Sequence, residues 1–137
     1  RDRWEVASRR SASGLDPTTP SGEDFIRWPT PRGWFWADPF PMTRDGREFV
    51  FFEALDYARG IGEIHVAEID AEGQPAPSRV AIHDPLHLSY PFPFDHQGEP
   101  HLLVERSESF LLQAFRASDF PLGWRPVATL LDGWRAV

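Results

Sequence analysis

The chain has 137 residues, 41% of them hydrophobic and 14% aromatic, a composition that supports one packed domain and excludes a disordered polymer. Fourteen Lys and Arg against 21 Asp and Glu leave a formal charge of −7, which repels phosphate backbones and anionic lipid surfaces, so neither a nucleic-acid partner nor direct membrane insertion is expected. With no cysteine there is no disulfide or thiolate metal site, and no apolar run approaches the roughly 20 residues of a membrane-spanning helix.

The absence of cysteine makes a cytoplasmic location the expectation, and the opening Arg1-Asp2-Arg3-Trp4 does not resemble a secretory signal. Short aromatic segments at residues 4–7 and 25–28 read as brief strands. Between them, residues 8–24 are rich in Ser, Thr, Pro and Gly and read as a surface loop. The run Trp28-Pro29-Thr30-Pro31-Arg32-Gly33 forbids a helix, because proline fixes φ and removes a backbone donor.

From Ala37 the pattern becomes regular. Residues 37–42 form an extended strand carrying two prolines, Arg44-Asp45-Gly46-Arg47 is a tight hairpin turn, and residues 48–53 are an apolar strand. Gly60-Ile61-Gly62 lacks the third glycine and the helix of a phosphate cradle and reads as a flexible hairpin. Residues 63–70 give a third strand, Ala71-Glu72-Gly73-Gln74 a turn, and residues 78–82 a fourth strand.

A shift of 52 residues brings the same grammar back: Pro91, Phe92 and Pro93 fall on Pro39, Phe40 and Pro41, Gly98 on Gly46, and Glu105 on Glu53. The turn at 95–98 and strands at 100–105, 110–116 and 127–131 keep the order. A repeat of roughly 50 residues holding four short strands is the pattern of a propeller blade. The expectation is an all-β, partial five-bladed β-propeller: N-terminal strands and a Ser/Pro-rich loop in residues 1–36, then two four-stranded antiparallel blades at about 37–88 and 89–137, cut short before a third. Two such blades leave two outward faces wet, so the remaining blades of a longer chain are an expected partner. The competing reading is a small two-sheet sandwich of roughly eight strands.

Trp34-Phe35-Trp36-Ala37-Asp38-Pro39-Phe40-Pro41, followed by Arg44-Asp45-Gly46, Phe49-Val50-Phe51-Phe52-Glu53 and His87-Leu88-Ser89-Tyr90-Pro91-Phe92, resembles the N-terminal domain of the glucosamine inositolphosphorylceramide transferase family. Bacterial proteins with the same domain look similar, some joined to formyltransferase-like regions. More distantly the pattern resembles the five-bladed propellers of arabinanases, levansucrases and invertases. The resemblance covers residues 25–137 and implies a glycan-related propeller, part of a glycosyltransferase-associated protein, that binds a sugar or sugar-lipid head group. It also implies that Asp38 matches the aspartate that serves those hydrolases as base or nucleophile. Tyr90 stands where they open the second blade with another aspartate, and their general-acid glutamate belongs to a third blade. Hydrolysis by this chain alone is therefore not expected, and a truncated glycoside hydrolase or a non-catalytic recognition or docking propeller are the alternatives.

Physical chemistry supports the same candidates. A carboxylate such as Asp38 on an innermost strand faces the central channel, where aromatic rings and partial desolvation tune its pKa, although it can equally order the local turn by accepting backbone N–H bonds. Trp34 and Trp36 are candidates for stacking on sugar, with core packing as the ordinary use of such rings. Tyr90 and His87 pair an apolar face with a polar edge suited to hydroxyls. Glu53 and Glu105 recur at equivalent positions and complete the candidate binding set. His83, His87, His96 and His101 lack the spacing of one ligand face, so neither a metal nor a cofactor is expected.

Overall fold

The computed structural model describes residues 4–10, 24–106 and 109–133. Most of the loop at 8–24 and Ser107 and Glu108 lie outside that set. Among the described residues ten strands form three antiparallel sheets. β1 (Ala7–Ser8) and β2 (Ile26–Arg27) pair as a small sheet. The first large sheet runs β3 (Trp34–Arg44), β4 (Arg47–Asp56), β5 (Ile61–Ile69) and β6 (Arg79–Ile82) in that spatial order. The second runs β7 (Ser89–His96), β8 (Glu99–Arg106), β9 (Leu111–Asp119) and β10 (Leu122–Asp132). Both are meanders, as the blade reading requires.

The repeat is written into the backbone. Asp45 and Gly46 have φ of 51° and 72°, Gln97 and Gly98 have 55° and 79°, and each pair closes a two-residue hairpin of the primed type that matches strand twist. Register slips between Ala37 and Phe40 in β3 and between Ser89 and Phe92 in β7 mark two bulges. The bulged residues, Asp38 and Tyr90, carry φ of 49° and 52°. Pro39, Pro41, Pro91 and Pro93 all sit on β3 or β7, which are edge strands where a missing N–H interrupts little of the ladder.

The 52-residue frame holds for these inner strands. It shortens to 48 beyond them, since Ile64 pairs with Glu53 as Leu112 pairs with Glu105. The expected flexible hairpin at Gly60-Ile61-Gly62 is corrected: Gly60 turns the chain at φ 68°, whereas Gly62 lies buried inside β5. A Cβ on Gly62 would stand 2.7 Å from the Leu88 carbonyl oxygen and 3.1 Å from Glu53 Oε1, so the site demands glycine for close approach.

The two large sheets face one another across a core of Phe49, Phe51, Ile64, Val66 and Ile82 from the first and Leu102, Val104, Phe115 and Trp124 from the second, sealed by Leu88. Phe51 meets Trp124 edge-on at 5.4 Å and Phe49 meets Phe120 at 4.9 Å, the geometry ring quadrupoles favour. Full burial of each such side chain contributes roughly 1.5–3 kcal/mol. The other face of the first sheet is dry as well: Val6 and Trp28 cover Trp36, Phe52, Ala54 and Ala67. Trp28 donates through Nε1 to Ser8 Oγ at 2.9 Å, and Ser8 donates to the Gly73 carbonyl at 2.8 Å, tying the small sheet down. Among the described residues the outer face of the first sheet is thus covered at Trp36, Phe52, Ala54 and Ala67, where the sequence alone suggested two open faces.

Candidate functional site

β3 and β7 lie side by side as the inner edges of the two sheets, and their bulges bring Asp38 and Tyr90 to equivalent positions. The bulge lets a side chain leave the alternating pattern, and the left-handed φ of a non-glycine residue at both points is stored strain of the kind functional sites carry.

Behind Asp38 the alternation of β4 runs Phe49, Phe51, Glu53 along the face between the sheets, so Glu53 ends the apolar ridge with a carboxylate. Glu53 is 6% exposed. His87 holds it: Nε2 is 3.2 Å from Glu53 Oε1, and Nδ1 accepts the Gly62 N–H at 3.1 Å. With Nδ1 accepting, the ring proton of the neutral imidazole must sit on Nε2 and point at the carboxylate. Gly62 also accepts the Leu88 N–H at 2.9 Å, which fixes the linker between the sheets against β5.

Asp38, Glu53 and Glu105 converge. Burial raises the Asp38 pKa, and the Glu53 charge and a hydrogen bond between the two carboxyl groups raise it further. Glu105 is also raised, first by burial and then by the charges of Asp38 and Glu53. Like charges gathered in partial desolvation favour sharing or taking up a proton, which makes Asp38 a hydrogen-bond donor to Glu53 when protonated.

The aromatic lining differs from the sequence expectation. Phe40 stacks edge-on with Tyr90 at 4.8 Å and with Phe92 at 5.6 Å, and Tyr90 and Phe92 remain 46% and 45% exposed. These rings lie on the same inner strands as Asp38. Trp36 instead is buried against Phe52 on the opposite face, where it lines a cavity of about 370 Å³ with Trp28 and prolines 29, 31, 75 and 77. Trp34 rests on His65 at 5.8 Å on that same face. Phe40 and Phe92 were legible as a repeated pair, but only the fold shows that the Phe40 ring meets both Tyr90 and Phe92.

A second polar cluster on β5 escaped the sequence reading. Glu63 accepts from His65 Nε2 at 3.0 Å, from His83 Nδ1 at 3.0 Å and from Arg59 at 3.3 Å, while His65 Nδ1 meets Ser78 Oγ at 3.2 Å. Burial opposes its charge, but the hydrogen bonds from His65, His83 and Arg59 hold its pKa below the ordinary value. Its residues come from β5, the loop before it and the two ends of β6, a spread with no linear motif. Among the described residues no group of three or more His, Asp or Glu has the arrangement of a metal site.

The chain is 35% identical over 92 residues to glucosamine inositolphosphorylceramide transferase 1 of Arabidopsis thaliana, a match covering 66% of this chain and 12% of that protein. It is 33% identical over 99 residues to the proteins of that name in Oryza sativa subsp. indica and subsp. japonica, covering 72% of this chain and 13% of each. The chain thus spans about an eighth of the length of these relatives. No solved structure matches it. The family model for glucosamine inositolphosphorylceramide transferase 1, N-terminal, matches residues 28–133, which include both large sheets, the paired bulges and the converging carboxylates, and the chain belongs to that family.

Proposed function

We propose that the inner end of the two-sheet wedge recognises a sugar or sugar-lipid head group within a glycosyltransferase-associated protein. The observation that carries this reading is the convergence of Asp38, Glu53 and Glu105 beside the exposed rings of Tyr90 and Phe92. Rings supply the flat apolar faces on which pyranose C–H groups stack, and carboxylates accept from hydroxyls. Three acidic groups suit an amino sugar better than a phosphate, and the relatives carry glucosamine in their name.

Recognition is favoured over hydrolysis because Tyr90 stands at the second bulge where Asp38 stands at the first, so the paired bulges supply one carboxylate rather than the two that glycoside hydrolysis needs. In this proposal Asp38 and Glu105 accept hydrogen bonds from the sugar, Glu53 is held by His87 as a fixed negative wall, and Tyr90 supplies both a ring face and a hydroxyl.

The test is a titration of the folded chain with glucosamine, N-acetylglucosamine and inositol phosphate, followed by heteronuclear NMR at Tyr90 and Asp38. Glucosamine is expected to bind most tightly, and Asp38→Asn to weaken it about tenfold, the effect of losing roughly one charge-assisted hydrogen bond. Equal shifts for all three compounds, or no shift at any, would overturn the reading.

A further inference from the structure

The outer face of the first sheet carries a cavity of about 370 Å³ in which the converging carboxylates have no part. Its walls are the Trp28 and Trp36 indoles and four prolines, 29, 31, 75 and 77, and none of its lining side chains is ionisable. Those walls are fixed from behind. Trp36 and Trp28 both pack on Phe52, with ring centroids at 4.9 and 5.6 Å, and Trp28 Nε1 is committed to Ser8 Oγ. The second proline segment is held to β5 by the Ile69–Pro75 bridge and by the Ala76 N–H, which donates to the Glu68 carbonyl at 2.8 Å. Rigid indole and proline faces suit a flat apolar ring, and the volume lies near the lower end of the roughly 300–1,000 Å³ of small-molecule sites.

The polar groups at this cavity are few and specific. Ser78 lines it, and its hydroxyl is already oriented. Glu63 accepts hydrogen bonds from His65 Nε2, His83 and Arg59, as a carboxylate does, so the proton of the neutral His65 ring sits on Nε2 and its Nδ1 is an acceptor. Ser78 must then donate to Nδ1 across their 3.2 Å contact, which leaves the serine only lone pairs to offer a ligand. A partner of Ser78 therefore brings its own proton. Two further groups have no partner among the described residues, the buried Trp36 Nε1 and Thr30 Oγ1, one on a lining indole and the other on the residue between two lining prolines. A buried donor without an acceptor is costly, and two of them beside one cavity point to a polar atom brought by a ligand.

We infer that this cavity binds a small uncharged aromatic molecule carrying a hydroxyl, a phenol in chemical class. The ring lies against the indoles and the prolines, and the phenol O–H donates to Ser78 Oγ. The phenol oxygen is in turn the kind of acceptor that an unpartnered indole N–H calls for. A charged ligand finds no counter-ion in the lining and has to shed its hydration against carbon, whereas a sugar leaves most of its hydroxyls unsatisfied there. The cavity shares no residue with the carboxylate site, and the inference stands independently of sugar recognition.

The experiment titrates the full chain with p-cresol, 4-methylanisole and p-hydroxybenzoate while the indole N–H signals are followed by heteronuclear NMR. The anisole keeps the ring and its oxygen but has no proton to donate, and the benzoate keeps the hydroxyl but adds a charge. p-Cresol is expected to shift the Trp28 and Trp36 indole signals and to bind about fivefold or more tightly than 4-methylanisole, the effect of roughly one neutral hydrogen bond, with p-hydroxybenzoate weaker than both. Ser78→Ala should bring p-cresol down to the affinity of 4-methylanisole, whereas Asp38→Asn should leave p-cresol binding as it is. Equal affinities of p-cresol and 4-methylanisole for the native chain would overturn the ligand class, and indole signals that move with none of the three would overturn the site. Loss of p-cresol binding in Asp38→Asn would overturn it too, by placing the ligand at the carboxylates.

Discussion

The two large sheets share a backbone and differ in chemistry. Turns, bulges and prolines recur at a fixed spacing, down to matched positive φ at Asp38 and Tyr90 and at Asp45 and Gln97. Polar side chains at equivalent points diverge: Asp38 answers to Tyr90, Glu63 to Leu111 and His65 to Gln113, whereas the Glu53 and Glu105 pair and the Phe40 and Phe92 pair are kept. The strained backbone therefore belongs to the repeat as architecture, whereas the hydrogen-bonded carboxylates belong to the first copy. A bulge by itself is no mark of chemistry. It becomes one where the residue it re-aims meets Glu53, held by His87 and backed by Gly62.

The sharpest way to break the comparison is to cut equivalent side chains in the two sheets. Phe51 is fully buried and its counterpart Leu103 is half-buried. Phe51→Ala is expected to cost about 3–5 kcal/mol, the transfer and cavity cost of a large aromatic, and Leu103→Ala about 1 kcal/mol or less. Urea unfolding with unchanged m-values checks both. Equal losses would mean that the far face of the second sheet is already packed, against the exposure of Leu131.

A smaller effect sharpens the contrast at the site. The counterpart of Gly62 is Phe110, so the repeat does not demand glycine there, and the close approach of the Leu88 carbonyl does. Gly62→Ala should cost roughly 1–3 kcal/mol, the range for overpacking against backbone. It should also shift the His87 imidazole resonances, because the added methyl stands 3.0 Å from His87 Cε1. A loss of stability with the His87 spectrum unchanged would detach Gly62 from the site.

Much of this was legible in the sequence, and the limits are physical. Turn residues and prolines act locally, so Asp45-Gly46, Gln97-Gly98 and the paired Pro-Phe-Pro segments announce the meander and the repeat directly. Alternation along β4 gives the buried Phe49 and Phe51. Trp36, on β3, joins a core completed by Val6 and Trp28, and the docking of a two-residue sheet leaves no periodic signal that would announce it. The expected sugar-facing set mixed residues of both faces for that reason. The Glu63 cluster was invisible because His65, Ser78 and His83 reach it from separate positions across two strands.

The least disruptive test sets the two acidic clusters against each other by pH. Glu63 has a folded pKa below its ordinary 4.5, so its contribution is fully present above 4.5 and is lost as pH falls through the folded value. Asp38 and Glu105 are shifted upward from 3.8 and 4.5. Their folded forms bind the proton more tightly than the unfolded chain, so stability rises as pH falls through their folded pKa and levels off below the ordinary values. Glu63→Gln should flatten the acid loss of stability, while Asp38→Asn should raise the midpoint at neutral pH and lose that advantage on acidification. The Asp38 gain should stay at about 1 kcal/mol or below, because solvent screens a partly open site. A midpoint lowered at neutral pH by Asp38→Asn would show that the charged aspartate stabilises its bulge, making Asp38 a turn-ordering residue like any other carboxylate that caps backbone N–H groups, and the likeness between the two bulges would then extend to their role.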